Sequence, residues 1–157
     1  MKMILFVAAL VLASHQVSAM TIPACINRAT GQRVPINLHA GDQNPAFSTL
    51  NGQGLPEIYI NEKILPMYES SQATVDFIVE HECGHVNLGH LTMGNVGQKK
   101  TNQEELAADC WSAHTLHAMG FTAQQMQQVM VDVDKLPKDP DHPAGLVRAR
   151  NAMSCFN

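Results

Sequence analysis

Residues 81–90 read His-Glu-Cys-Gly-His-Val-Asn-Leu-Gly-His, three of the chain's eight histidines with a glutamate directly after the first. The preceding residues, "SSQATVDFIVE" (70–80), begin with serine caps and carry an apolar stripe at Val75, Ile78 and Val79, so the stretch is expected to be helical. On a helix each residue turns about 100°, which sets His81 and His85 about 40° apart, one turn above each other. Two imidazoles so placed can share one Zn²⁺. Glu82 lies beside that face, where a carboxylate can take a proton from a water whose pKa the ion has lowered. Composition alone yields an H-E-x-x-H match in about 0.02 of such chains, so the motif needs support from elsewhere. Gly89 is a natural stop for the helix.

That support lies downstream. "TNQEELAADCW" (101–111) opens with Thr101 and Glu104 at capping-box spacing. Glu104 is thereby occupied, and Glu105 becomes the expected third metal ligand. Asp109, four residues on, shares its face and is placed to accept the ring N–H of a ligand histidine. Nineteen residues separate His85 from Glu105, enough to bring the second helix back beside the first.

Outward from these helices, "RVPINL" (33–38) and "PEIYIN" (56–61) read as strands, the second with Pro56 at its start or on a sheet edge. "HAGDQNPAFSTLNGQG" (39–54) between them reads as loop. A third helix is expected from Thr122 until before Pro137, and a short fourth after Pro143. Strands first and helices after mark an α+β domain, a small N-terminal sheet on the metal-binding helix with further helices behind.

The first nineteen residues carry Lys2, an apolar run over 3–13 and small residues at "VSA", which reads as a secretory signal. Eleven apolar residues fall short of the ~20 a membrane span needs. Residues 20–157 then form one domain, expected to be a monomer in the periplasm or secreted, without a stable membrane span. Removing Lys2 leaves nine basic against fourteen acidic residues, and no basic patch suggests nucleic acid. Four cysteines in an oxidising compartment predict two disulfides. Of the three pairings, Cys25–Cys83 with Cys110–Cys155 lets the N-terminal strand reach the back of the first helix, where Cys83 points.

Three motifs in order, "VEHECGHVNLGH" (79–90), "EELAAD" (104–109) and "HPAGLVR" (142–148), resemble the gluzincin zinc metallopeptidases. Within these they are similar to the soluble periplasmic relatives of the CAAX prenyl endopeptidases. The resemblance implies a minimal zincin-like catalytic domain, one Zn²⁺ per chain and a protein or peptide substrate. It also implies that His142 stands near the open side of the metal, capping it or stabilising an oxyanion. Arg148 would pair with a carboxylate such as Asp109, or polarise the substrate carbonyl. It further suggests that the "PEIYIN" strand is the edge that binds substrate, with Tyr59 and Asn61 along the cleft. From the residues alone, His142 is equally a helix-start residue and Arg148 a solvated one.

His90, after the terminating glycine, is expected to be structural and outside the metal site. His114 and His117 turn away from the metal face, and Met126, Met130 and Val133 follow core spacing. A zinc-stabilised binding or chaperone-like protein of the cell envelope is the alternative function. Such a protein has no use for Glu82.

Overall fold

The computed structural model describes residues 21–41, 44–63, 71–135 and 142–157; the signal segment expected at 1–19 lies outside them. Three strands, β1 (Ile36–His39), β2 (Ala46–Leu50) and β3 (Pro56–Asn61), precede four helices. These are α1 (Gln72–Asn87), α2 (Asn102–Ala118), α3 (Ala123–Lys135) and α4 (Gly145–Cys155). The fold is α+β, as the element order predicts. No described helix is long and apolar enough to cross a membrane.

The sheet has the order β1-β3-β2, with β1 parallel and β2 antiparallel to β3. The "PEIYIN" strand is therefore central, and the edge reading is corrected. The edge near α1 is β2, in a stretch whose Gly, Asn and Pro content reads as loop. A five-residue strand with one alternation of side chains carries too little local signal. It exists because Ala46 and Ser48 pair with Ile60 and Ile58 and turn with them toward α1. On the opposite face, Phe47 stacks on Tyr59 at 5.0 Å and meets His39 edge-on at 5.1 Å.

Helix α1 is buried from Ala73 through His85. One side packs Val75, Ile78, Val79 and Cys83 against Ile58, Ile60, Ala46 and Val34 of the sheet layer. The other side gives Ala73 and Phe77 to a second core with Leu116, Met126, Val129 and Ala152. A helix walled on all sides needs apolar residues around its circumference. Helix α1 answers with apolar residues on both sides, while its buried polar residues before the histidines, Thr74, Asp76 and Glu80, each have a hydrogen-bond partner. Met126, Met130 and Val133 are core, as their spacing predicts.

Caps fix the helix boundaries. Ser71 accepts from the Thr74 N–H at the start of α1. Thr101 and Glu104 form the reciprocal capping box of α2. Two disulfides, Cys25–Cys83 and Cys110–Cys155, follow the expected pairing. The first ties the N-terminal segment to the back of α1, and the second ties α2 to the end of α4.

Helices α1 and α2 approach closely because Gly84 has no side chain. A Cβ there would lie 3.0 Å from the Trp111 Cβ and 3.2 Å from the Ala108 Cα. This contact sits one helical turn from Glu105 and sets how near α2 comes to the histidines.

Candidate metal centre

His81 and His85 leave α1 on the side facing α2, one turn apart. Their Nε2 atoms stand 3.2 Å from each other. From α2, Glu105 enters between them, with Oε2 3.0 Å from His81 Nε2 and Oε1 3.4 Å from His85 Nε2. His142, in the segment before α4, adds its Nε2 3.0 Å from the same Glu105 Oε2. His81 and Glu105 are almost wholly buried, and the His142 side chain is 20 % exposed. His81, Glu105 and His142 form a group that can hold a metal ion, with one ligand atom from each lying within 4.8 Å of the others.

The chemistry of this donor set fits a cation. Asp109 Oδ1 stands 2.9 Å from His81 Nδ1. A carboxylate only accepts, so Nδ1 carries the hydrogen, and in neutral His81 the Nε2 lone pair faces the cluster. The field has the same sign. Burial opposes a charged His81, but its hydrogen bonds to Asp109 and Glu105 overcome this and raise its pKa to about 10. Burial would likewise push Glu105 up, yet the hydrogen bonds from His142, His81 and His85 hold its carboxyl far below the ordinary range. Positive charge is favoured here whether a proton or a metal ion supplies it.

Asp109 is fully buried and held in turn by Arg148. The guanidinium donates from Nε to Oδ2 at 2.9 Å and from Nη2 to Oδ1 at 2.6 Å. Burial works against the Asp109 charge, and Arg148 and His81 together still keep its carboxyl below its usual value. Arg148 is therefore not on a solvated face. It is the outer member of a chain running Arg148–Asp109–His81, which orients the ring. Nor does His142 cap α4, whose N-cap is Ala144 with no side-chain bond.

Glu82 leaves α1 beside the histidines and reaches toward the sheet, sharing both cavities with the cluster. Its Oε2 accepts from Ser48 Oγ at 2.8 Å, so the β2 edge strand positions this carboxylate. Neither Ser48 nor its strand stands out in the sequence. The signal lay in the alternation "AFSTL" after Pro45, too short to weigh without a partner strand.

Glu82 and His142 both line two cavities that meet at the cluster. One, of about 390 Å³, is walled by Phe77, Ile78, Val133, Pro143 and Leu146, with Arg148 at its polar end. The other, of about 370 Å³, runs along Thr49 of β2 and past Lys99 and Lys100, with His85 and Glu105 at its floor. Tyr59 and Asn61 line neither. Tyr59 lies on the sheet's far face, where its hydroxyl donates to Glu57, and Asn61 is buried at the end of β3. Their expected place along the cleft falls to β2.

No known protein family, curated protein or solved structure matches the chain.

The β2 edge has its own geometry. The Asn61 N–H donates to the Pro45 carbonyl and the Asn51 N–H to the Leu55 carbonyl, each at 2.9 Å. Antiparallel pairing alternates, so positions 45, 47, 49 and 51 bond inward. The backbone groups of Ala46, Ser48 and Leu50 turn to the outer side, where no other described strand pairs with them. His114 is exposed, and the exposed His117 packs its ring on Phe156 at 5.1 Å, so neither joins the cluster. His90 is the hydrogen-bonding histidine expected after the helix stop, and its partner is His85, Nδ1 to Nδ1 at 2.9 Å.

Proposed function

We propose that the chain is an exported zinc-dependent metalloendopeptidase of gluzincin type, with His81, His85 and Glu105 holding one Zn²⁺. The observation that carries this reading is the position of Glu82. It stands next to the histidine cluster without joining it, at the junction of two cavities and under an open strand edge. A structural metal site has no use for such a carboxylate.

The ion supplies Lewis acidity, polarising a peptide carbonyl and lowering the pKa of a water. Glu82, steadied by Ser48, accepts the proton of the attacking water and delivers it to the leaving amine. Asp109 and Arg148 keep the His81 ring in its ligating orientation, so Arg148 serves the reaction as a positioning residue. His142, between the two cavities, would turn the Nε2–H that Glu105 Oε2 accepts here to the carbonyl oxygen as negative charge develops there. The outward backbone groups of Ala46, Ser48 and Leu50 pair with an extended peptide, while the Phe77–Ile78–Val133 cavity takes an apolar side chain. Two disulfides and the N-terminal apolar run support export to the periplasm or beyond the cell.

The test compares wild type with Glu82→Gln on an unfolded protein substrate, each assayed for bound zinc. The expected result is one zinc per chain in both and a roughly 10²–10⁴-fold loss of cleavage in the variant. Equal cleavage by the two proteins rejects Glu82 as the base. A wild type that binds no zinc rejects the metallopeptidase reading altogether.

A further inference from the structure

We propose that His90 sets the tautomer and ring orientation of His85, so that His85 presents its Nε2 lone pair to the metal. The assignment rests on the metal reading above and adds to it a residue outside the ligand motif.

It begins with the backbone. Leu88, the last residue before the chain leaves α1, donates its N–H to the Gly84 carbonyl at 2.8 Å. Gly89 takes φ +76°, the left-handed region that favours glycine. The His90 N–H then returns to the His85 carbonyl at 3.0 Å. This six-to-one bond across a left-handed residue is a Schellman turn, and it folds the residue after the glycine back over the one five before it. The two side chains so brought together are commonly apolar. Here they are His90 and His85, with ring centroids 5.1 Å apart at 64° and Nδ1 atoms separated by 2.9 Å.

Two ring nitrogens at that distance share a single hydrogen, so one donates and the other accepts. The far side of His85 decides which. Its Nε2 faces His81 Nε2 at 3.2 Å and Glu105 Oε1 at 3.4 Å, inside the cluster. To offer a lone pair there, neutral His85 must carry its hydrogen on Nδ1. His90 Nδ1 is then the acceptor, with its own hydrogen on Nε2. His90 thus does for His85 what Asp109 does for His81, with a neutral ring in place of a carboxylate. The loop steadies it: Asn95 donates from Nδ2 to the His90 carbonyl at 2.9 Å and accepts the Thr92 N–H at 2.8 Å.

Zinc affinity, measured by competition with a chromophoric chelator, tests the assignment in wild type, His90→Ala, His90→Asn and His90→Gln. Thermal unfolding of each metal-free protein serves as the folding control. His90→Ala is expected to bind zinc roughly 10–100-fold more weakly. The Asn Oδ1 stands about where Nδ1 does and only accepts, so His90→Asn recovers most of the affinity and His90→Gln does not. Long-range ¹H–¹⁵N correlation spectra of zinc-loaded wild type should place the His85 hydrogen on Nδ1. Unchanged affinity in His90→Ala overturns this assignment alone. Equal weakening in all three variants, matched by equal losses of metal-free stability, reduces His90 to a helix-terminating residue and also overturns it. A wild type that binds no zinc overturns the metal reading and this assignment with it.

Discussion

Arg148 grips Asp109 by both carboxylate oxygens, at 2.9 and 2.6 Å, where the carboxylate has no access to solvent. Two segments far apart in the chain, α2 and α4, thereby meet one bond behind the ring of His81. Arg148→Met would leave buried Asp109 with only the His81 ring N–H to pair it, a loss of up to about 3–5 kcal/mol. Denaturant unfolding of the metal-free protein should show it, and zinc competition should show an affinity roughly 10–100-fold weaker. A variant as stable as wild type would mean that the pair does not hold the site.

Gly84→Ala tests the helix contact. Its Cβ would meet Trp111 at 3.0 Å and the Ala108 backbone at 3.2 Å, so α2 must move. Overpacking of this kind costs about 1–3 kcal/mol. Because Glu105 and Asp109 ride on the same helix, zinc affinity should fall together with the unfolding midpoint. A lower midpoint with unaltered affinity would separate the contact from the site.

Glu80 predicts a pH dependence. Burial raises its carboxyl above the ordinary value of 4.5, only partly offset by the Trp111 indole N–H donating to it at 3.3 Å. With the folded value raised, its favourable contribution is complete below about pH 4.5 and is lost as pH climbs through the folded value. Glu80→Gln keeps an oxygen for Trp111 and removes the charge. Its thermal midpoint should exceed that of wild type at pH 7, with the difference closing toward pH 4. A constant difference across that range would show that the charge is not the cause.

The apolar cavity makes a prediction about substrates. Leu146 is 70 % exposed, yet it borders that cavity opposite Ile78 and Val133. Leu146→Asp should leave zinc binding and folding intact while lowering kcat/KM for peptides with a large apolar residue beside the cleaved bond. Peptides with a small residue at that position should be affected less. Equal losses on both peptide sets would remove the cavity from substrate selection.

The disulfides bear on stability. Cys25–Cys83 closes a loop across a separation of 58 residues and Cys110–Cys155 one of 45. Replacing either pair by serine should cost on the order of 2–4 kcal/mol, read from unfolding midpoints under non-reducing conditions. Loss of neither midpoint would show that packing alone holds the N-terminal segment and α4.

Much of the metal-centre geometry follows from local spacing. Three or four residues along a helix is a distance that the helix itself dictates, so His81 with His85, and Glu105 with Asp109, share faces whatever surrounds them. Capping chemistry is equally local, which is why Thr101 and Glu104 mark the start of α2 and Gly89 the end of α1. By itself the sequence determined these faces, the α+β order of elements and the core positions of α3. Tertiary structure alone decided that β3 is central and β2 is the open edge, since strand order depends on pairing between segments that carry no mark of each other. It also joined Ser48 to Glu82 and Arg148 to Asp109, and brought His142 to Glu105, across separations that no periodicity encodes. His90 lies between the two cases. Its Schellman turn is local, but a histidine after a terminating glycine gains a partner only because the residue five before it is a histidine of the buried cluster.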